Sequence, residues 1–122
     1  MGLKDKLRQG FERRFVTVNV PLVGDVRLRS LSSSEMRALR NSLTDDKGET
    51  IKPRIERLNE ILASMTIVDE AGNLEFTEGE AMSGAFDSMD AASAKVLFSH
   101  VVRHTGFTAD SDWQAIEGAA KN

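Results

Sequence analysis

His100 and His104 stand four residues apart in SHVVRHTG, so on a helix their imidazoles would face one side and could pinch a metal ion. Val101 occupies the place where a zinc peptidase helix carries its catalytic Glu, no third ligand is indicated, and the chain has no Cys. The pair is read as two partly exposed helix-surface histidines. Asp69, Glu70, Glu75, Glu78 and Glu80 crowd around one turn, but without the alternating acidic spacing and closing bidentate Glu of a calcium loop. Capping and solubility account for them equally well. Ser32, Ser33 and Ser34 are hydroxyls with no base placed near them, and glycines occur singly, so neither a nucleophile nor a phosphate-cradling loop is indicated. Arg13, Arg14, Arg27 and Arg29 could form a basic face for a phosphate backbone. Against that stand a pI near 5.4 and the lack of interleaved aromatics or a recognition helix. The residues therefore predict a non-enzymatic protein with no catalytic, cofactor-binding or metal-binding set.

These side chains must be held by a small number of elements. Leu3, Leu7 and Phe11 recur at spacing four among Lys4, Lys6, Arg8 and Arg13, the pattern of a short basic amphipathic helix weakened by Gly10. Met1-Gly2 opens the chain, but Lys6 stands where an N-myristoylation signal requires Ser or Thr. FVTVNV (Phe15 to Val20) alternates with period two, Pro21 to Asp25 supplies turn chemistry, and Val26, Leu28 and, after Ser30, Leu31 continue the pattern with Arg27 and Arg29 facing the other way. One hairpin is predicted, as the only regular sheet. Ser32-Ser33-Ser34-Glu35 is a capping box that opens a helix to about Leu43, burying Met36, Leu39 and Leu43. Thr44 to Thr50 is the best candidate for a mobile loop. Pro53 starts a helix whose stripe of Ile55, Leu58, Ile61, Leu62 and Met65 is the clearest in the chain.

Ile67 to Phe76 reads as two apolar stubs around a turn in which Gly72 or Asn73 takes positive φ. Thr77-Glu78-Gly79-Glu80 caps a short helix with Ala81, Met82, Ala85 and Phe86 inward. Asp90 caps the next, on which Ala94, Leu97, Phe98 and Val101 line one face and Gly106 offers the C-terminal stop. Ser111 to Gln114 signals a last helix carrying Trp113 and Ile116, before a polar end. The fold class that follows is α+β, mostly α: a basic segment over 1–14, a folded helical core with an N-terminal hairpin over 15–107, and a C-terminal helix and polar tail over 108–122.

The 122 residues suit one domain, and 40% hydrophobic with 29% charged residues is a globular composition. No run approaches the length of a membrane span and no secretory h-region follows the start, so a soluble, cytoplasmic protein is expected. The net charge of −3 is unevenly spread: residues 1–57 hold 13 Lys/Arg against 8 Asp/Glu, and residues 58–122 hold 3 against 11. Such polarity suits self-association or a charged partner, although charged runs are most often solvated faces. Four methionines, Met36, Met65, Met82 and Met89, are read as core filler ahead of an adaptable binding surface. Partner contacts are expected at apolar residues of the terminal helices, Leu3, Leu7, Phe11, Trp113 and Ile116, because short helices with few apolar residues gain little stability alone.

The order of features resembles the tail assembly chaperones of long-tailed bacteriophages. The resemblance runs through a valine-rich hairpin, VRLRSLSSSEMRALRNSL (Val26 to Leu43), RLNEILASMTIVDEAGNLEFTEGEA (Arg57 to Ala81) and VLFSHVVRHTGF (Val96 to Phe107). Leu31, Ser32 and Glu35 match that family's strand-then-L-S/T-x-x-E unit, and Val68, Asp69 and Gly72 match its V/I-D-x-x-G turn. The resemblance covers roughly residues 15–107 and leaves the basic segment before Phe15 unassigned. It implies an assembly factor of the host cytoplasm, absent from the finished virion, that binds the tape-measure protein, recruits tail-tube subunits, and in that family often has a longer frameshifted product. A homo-oligomer is possible on this reading, and no membrane or nucleic acid partner is implied. The alternatives from the residues are a structural virion protein, such as a head-tail joining component, and a small nucleic-acid-binding regulator.

Overall fold

A computed structural model describes residues 2–9 and 12–107 of the chain. Alternation of small apolar residues builds its sheet first. β1 (Phe15–Val20) and β2 (Gly24–Arg29) pair antiparallel, Val18 facing Val26 and Val16 facing Leu28. Pro21 and Leu22 are the central residues of the turn between them, closed by the Val23 N–H donating to the Val20 carbonyl at 3.0 Å. Leu22 takes φ 67°, the left-handed conformation that the third position of a type II turn demands and that usually falls to Gly.

The hairpin is not the whole sheet, contrary to the sequence expectation. Ile67 and Val68, read as an apolar stub, form β3 (Ile67–Val68), which pairs antiparallel with Leu28 and Arg27 to give the order β1-β2-β3. Both residues are buried. The third strand gives the hairpin support that an isolated one lacks in water.

α1 (Leu3–Gln9) precedes β1; α2 (Ser33–Asn41), α3 (Lys52–Glu56), α4 (Leu58–Thr66), α5 (Glu78–Met82) and α6 (Ala91–Thr105) follow the hairpin. α6 is the helix that packs on β1 and β2, and α4 packs in turn on α5 and α6. The arrangement is the α+β, mostly helical one that the pattern predicts. The caps also form as their spacing indicates. The Ser32 hydroxyl accepts from the Glu35 amide while the Glu35 carboxylate accepts from the Ser32 amide, and Thr77 and Glu80 repeat this reciprocal pair. Asp90 accepts from the Ala92 and Ser93 amides, and Gly106 at φ 75° ends α6.

Two expectations are corrected inside the helical layer. The stripe beginning at Pro53 is not carried by one helix: α3 ends at Glu56, Arg57 takes φ −109° and ψ 23°, and α4 restarts at Leu58. Along this stripe Ile61 and Leu62 are fully buried, whereas Ile55, Leu58 and Met65 are only partly so. Ala85, expected inward, is exposed, because α5 ends at Met82 and the Ala85 amide bonds back to Glu80. The core gathers Val20, Leu28, Met36, Leu39, Ile61, Leu62, Leu97 and Val101 between sheet and helices. Phe86 lies between Phe76, at 4.8 Å, and Phe98, edge-on at 6.0 Å. Met36 is buried, and Met65, Met82 and Met89 pack against the core, the filler role.

Two loops share one architecture. In each, an Asp side chain accepts from the amides two and four residues on, the Asp amide donates to the carbonyl four residues on, and a left-handed Gly three residues on donates to the Asp carbonyl. The first spans Asp45 to Glu49 with Gly48 at φ 78°; the second spans Asp69 to Asn73 with Gly72 at φ 87°. The first lies within Thr44 to Thr50, the segment expected to be mobile, whose ends are also joined by a bridge between Thr44 and Thr50.

Candidate interaction surface

Each residue of chemical interest is placed by a local cause. The capping box that starts α2 fixes Glu35 at the mouth of the hairpin, where its carboxylate meets Arg13 in a two-pronged pair, Nη1 to Oε1 at 2.9 Å and Nη2 to Oε2 at 2.8 Å. Arg29 adds a longer contact at 3.7 Å. Hydrogen bonding from Arg13 outweighs desolvation and, with the Ser32 amide, holds the Glu35 carboxyl down at about 2. Arg13 also donates to the Ser30 carbonyl, while the Arg14 amide donates to the buried Ser30 hydroxyl. The residues just before β1 are thereby tied to the body.

The four arginines read as one basic face are therefore divided. Arg13 and Arg29 are committed to Glu35, Arg29 also to the Met65 carbonyl at 2.8 Å, and burial lowers the Arg29 pKa. Arg27 lies over the Phe15 ring at 4.3 Å and donates to the Glu70 carbonyl at 2.6 Å. Neither Arg14 nor Arg27 has an acidic partner among the described residues, and of the two Arg14 is the exposed one. The acidic cluster is similarly dispersed: Glu78 pairs with Arg54, Glu80 caps α5, and Asp69 organises its own loop.

His100 and His104 do share a side of α6. His104 Nε2 stands 3.3 Å from the Arg14 carbonyl, and burial lowers its pKa. No third His, Cys, Asp or Glu joins them within metal-binding reach among the described residues. They instead line a groove of about 440 Å3 between α6 and β1, with Arg14, Val16, Val18 and Arg103.

Of the residues expected to meet a partner, Leu3 and Leu7 lie one turn apart on α1 and are 72% and 70% exposed. Phe11, Trp113 and Ile116, with the predicted C-terminal helix, fall outside the described residues. Sequence reasoning missed a second exposed apolar point, Leu22 and Val23 at the hairpin tip, because it read that stretch as turn chemistry only. Pro-Leu-Val in place of the polar residues usual in a turn was the available signal.

No family model, curated protein or solved structure matches the chain. What the surface can do must therefore be judged from its own chemistry: apolar side chains held outward and guanidinium groups fixed by backbone and carboxylate partners. No helix among the described residues is long and apolar enough to cross a membrane.

Proposed function

We propose that the protein is a non-enzymatic tail assembly chaperone of a long-tailed phage or prophage, binding the tape-measure protein and recruiting tail-tube subunits in the host cytoplasm. The order of its hairpin, L-S-x-x-E cap, leucine helix and D-x-x-G turn supports the class. The observation that carries a binding role is the pair Leu3 and Leu7, both more than two-thirds exposed on a helix of seven residues. A helix this short is marginal alone in water. Burying each leucine against an amphipathic helical client is worth roughly 1.5–3 kcal/mol.

The test is co-expression of the full chain with the genes that flank it, followed by affinity purification. A long helical protein should co-purify with the wild type and be lost with Leu3→Ser/Leu7→Ser. Parallel pairs, Leu7→Ser/Phe11→Ser and Trp113→Ala/Ile116→Ala, examine the remaining candidates. Retention of the chain in purified finished particles would defeat the chaperone reading and support a structural virion protein.

A further inference from the structure

The strand order leaves β1 with one neighbour, so one side of its backbone is open among the described elements. Which groups point that way follows from the register. The Ser30 amide donates to the Arg14 carbonyl at 2.8 Å, marking that position as a bonded pair. Bonded and non-bonded pairs alternate in an antiparallel ladder, so Val16, Val18 and Val20 bond toward β2, while Phe15, Thr17 and Asn19 turn their N–H and C=O groups to the open edge. Natural sheets protect such edges with charge, proline or a bulge, and FVTVNV has none of these.

The flank of this edge carries two guanidinium groups. The groove between β1 and α6 is lined by Arg14 and Arg103, with His100 and His104 beside them, over a floor of Val16 and Val18, and none of its lining residues is Asp or Glu. α6 has no acidic residue over its fifteen positions. It supplies Lys95 and Arg103, although residues 58–122 as a whole carry 3 cations against 11 acids. Arg103 is exposed and has no acidic partner among the described residues.

We propose that the β1 edge and this groove form a docking site for an extended acidic segment of another polypeptide, added beside β1 as a further strand. The ligand's main chain bonds Phe15, Thr17 and Asn19. Its residues opposite Val16 and Val18 project to the same side of the sheet as those valines, toward Arg14, Arg103 and the two histidines. The preferred ligand thus carries a carboxylate at every second residue. The site is separate from the α1 leucines and does not depend on the chaperone reading.

The experiment titrates the full chain with a blocked hexapeptide of alternating Glu and Val, following backbone amide shifts by NMR and affinity by fluorescence anisotropy. The Phe15, Thr17 and Asn19 amides should shift and exchange more slowly. The alternating Lys and Val peptide should bind at least ~10-fold more weakly, and Arg103→Glu or Arg14→Glu should weaken the acidic peptide by a similar factor. A Glu-Val peptide N-methylated at alternate amides leaves the protein untouched and should lose binding, as should Thr17→Pro, which removes one outward donor. Equal affinity for acidic and basic peptides, insensitivity to N-methylation, or an edge already taken by a second copy of the chain that keeps the peptide out would each overturn the proposal.

Discussion

Glu35 has two functions that ordinarily belong to different residues. Its Oε1 accepts from both the Ser32 amide and Arg13, and its Oε2 from the second prong of Arg13, so one carboxylate starts α2 and fastens the chain entering β1. Its folded pKa of about 2 lies below the ordinary value of 4.5. The stabilisation is therefore complete above pH 4.5 and lost as pH falls toward 2. Glu35→Gln preserves the cap acceptor and removes the charge; discounted for partial exposure, it should cost about 1–2 kcal/mol at pH 7. Chemical denaturation across pH should show wild type and variant converging near the bottom of that window. The cap was legible because its partners lie three residues apart, whereas Arg13 is 22 residues away and nothing local announces it. Leu22 makes the opposite case, a side chain 88% exposed on a left-handed backbone. Leu22→Gly relieves a backbone cost of about 1 kcal/mol and forfeits almost no burial, so the melting temperature should hold or rise.

The strongest helical stripe in the sequence concealed a break. Ile55, Leu58, Ile61, Leu62 and Met65 keep their spacing across Arg57, and periodicity records only which side chains are apolar, not whether the backbone between them stays helical. Nor does periodicity record depth: Leu62 is fully buried and Leu58 only partly so within the same α4. Leu62→Ala, at a fully buried site, should cost roughly 2–5 kcal/mol, and Leu58→Ala clearly less; urea midpoints at a shared m-value would show whether that order holds. Asp90→Ala removes the side chain that accepts two α6 amides and should cost about 1 kcal/mol, read as faster amide exchange in the first turn of α6. β3 escaped notice for a different reason. Two residues cannot display a period, and only their distant partners, Arg27 and Leu28, make Ile67 and Val68 a strand.

At the scale of the molecule, the basic and acidic stretches of the sequence do not become two free faces, because Arg54 and Arg57 of the first reach Glu78 and Asp87 of the second across the fold. Among the described residues the features left without a partner include the cationic flank of α6, the leucines of α1 and the apolar hairpin tip at Leu22 and Val23. Leu3→Ser/Leu7→Ser should consequently shift thermal stability within about 0.5 kcal/mol, and a larger loss would mean that α1 belongs to the folded body. The candidate leucines were legible from their spacing; the groove was not, since it needs Arg14 and His104 to meet across 90 residues. The paired D-x-x-G loops carry a consequence of another kind. Because each closes on its own Asp and Gly, the two five-residue stretches are spare parts of one pattern, and DDKGE should be transplantable into the seat of DEAGN and the reverse. A chimera with 45–49 and 69–73 exchanged should fold at nearly the parental melting temperature, leaving the two seats open as places to graft foreign turn sequences.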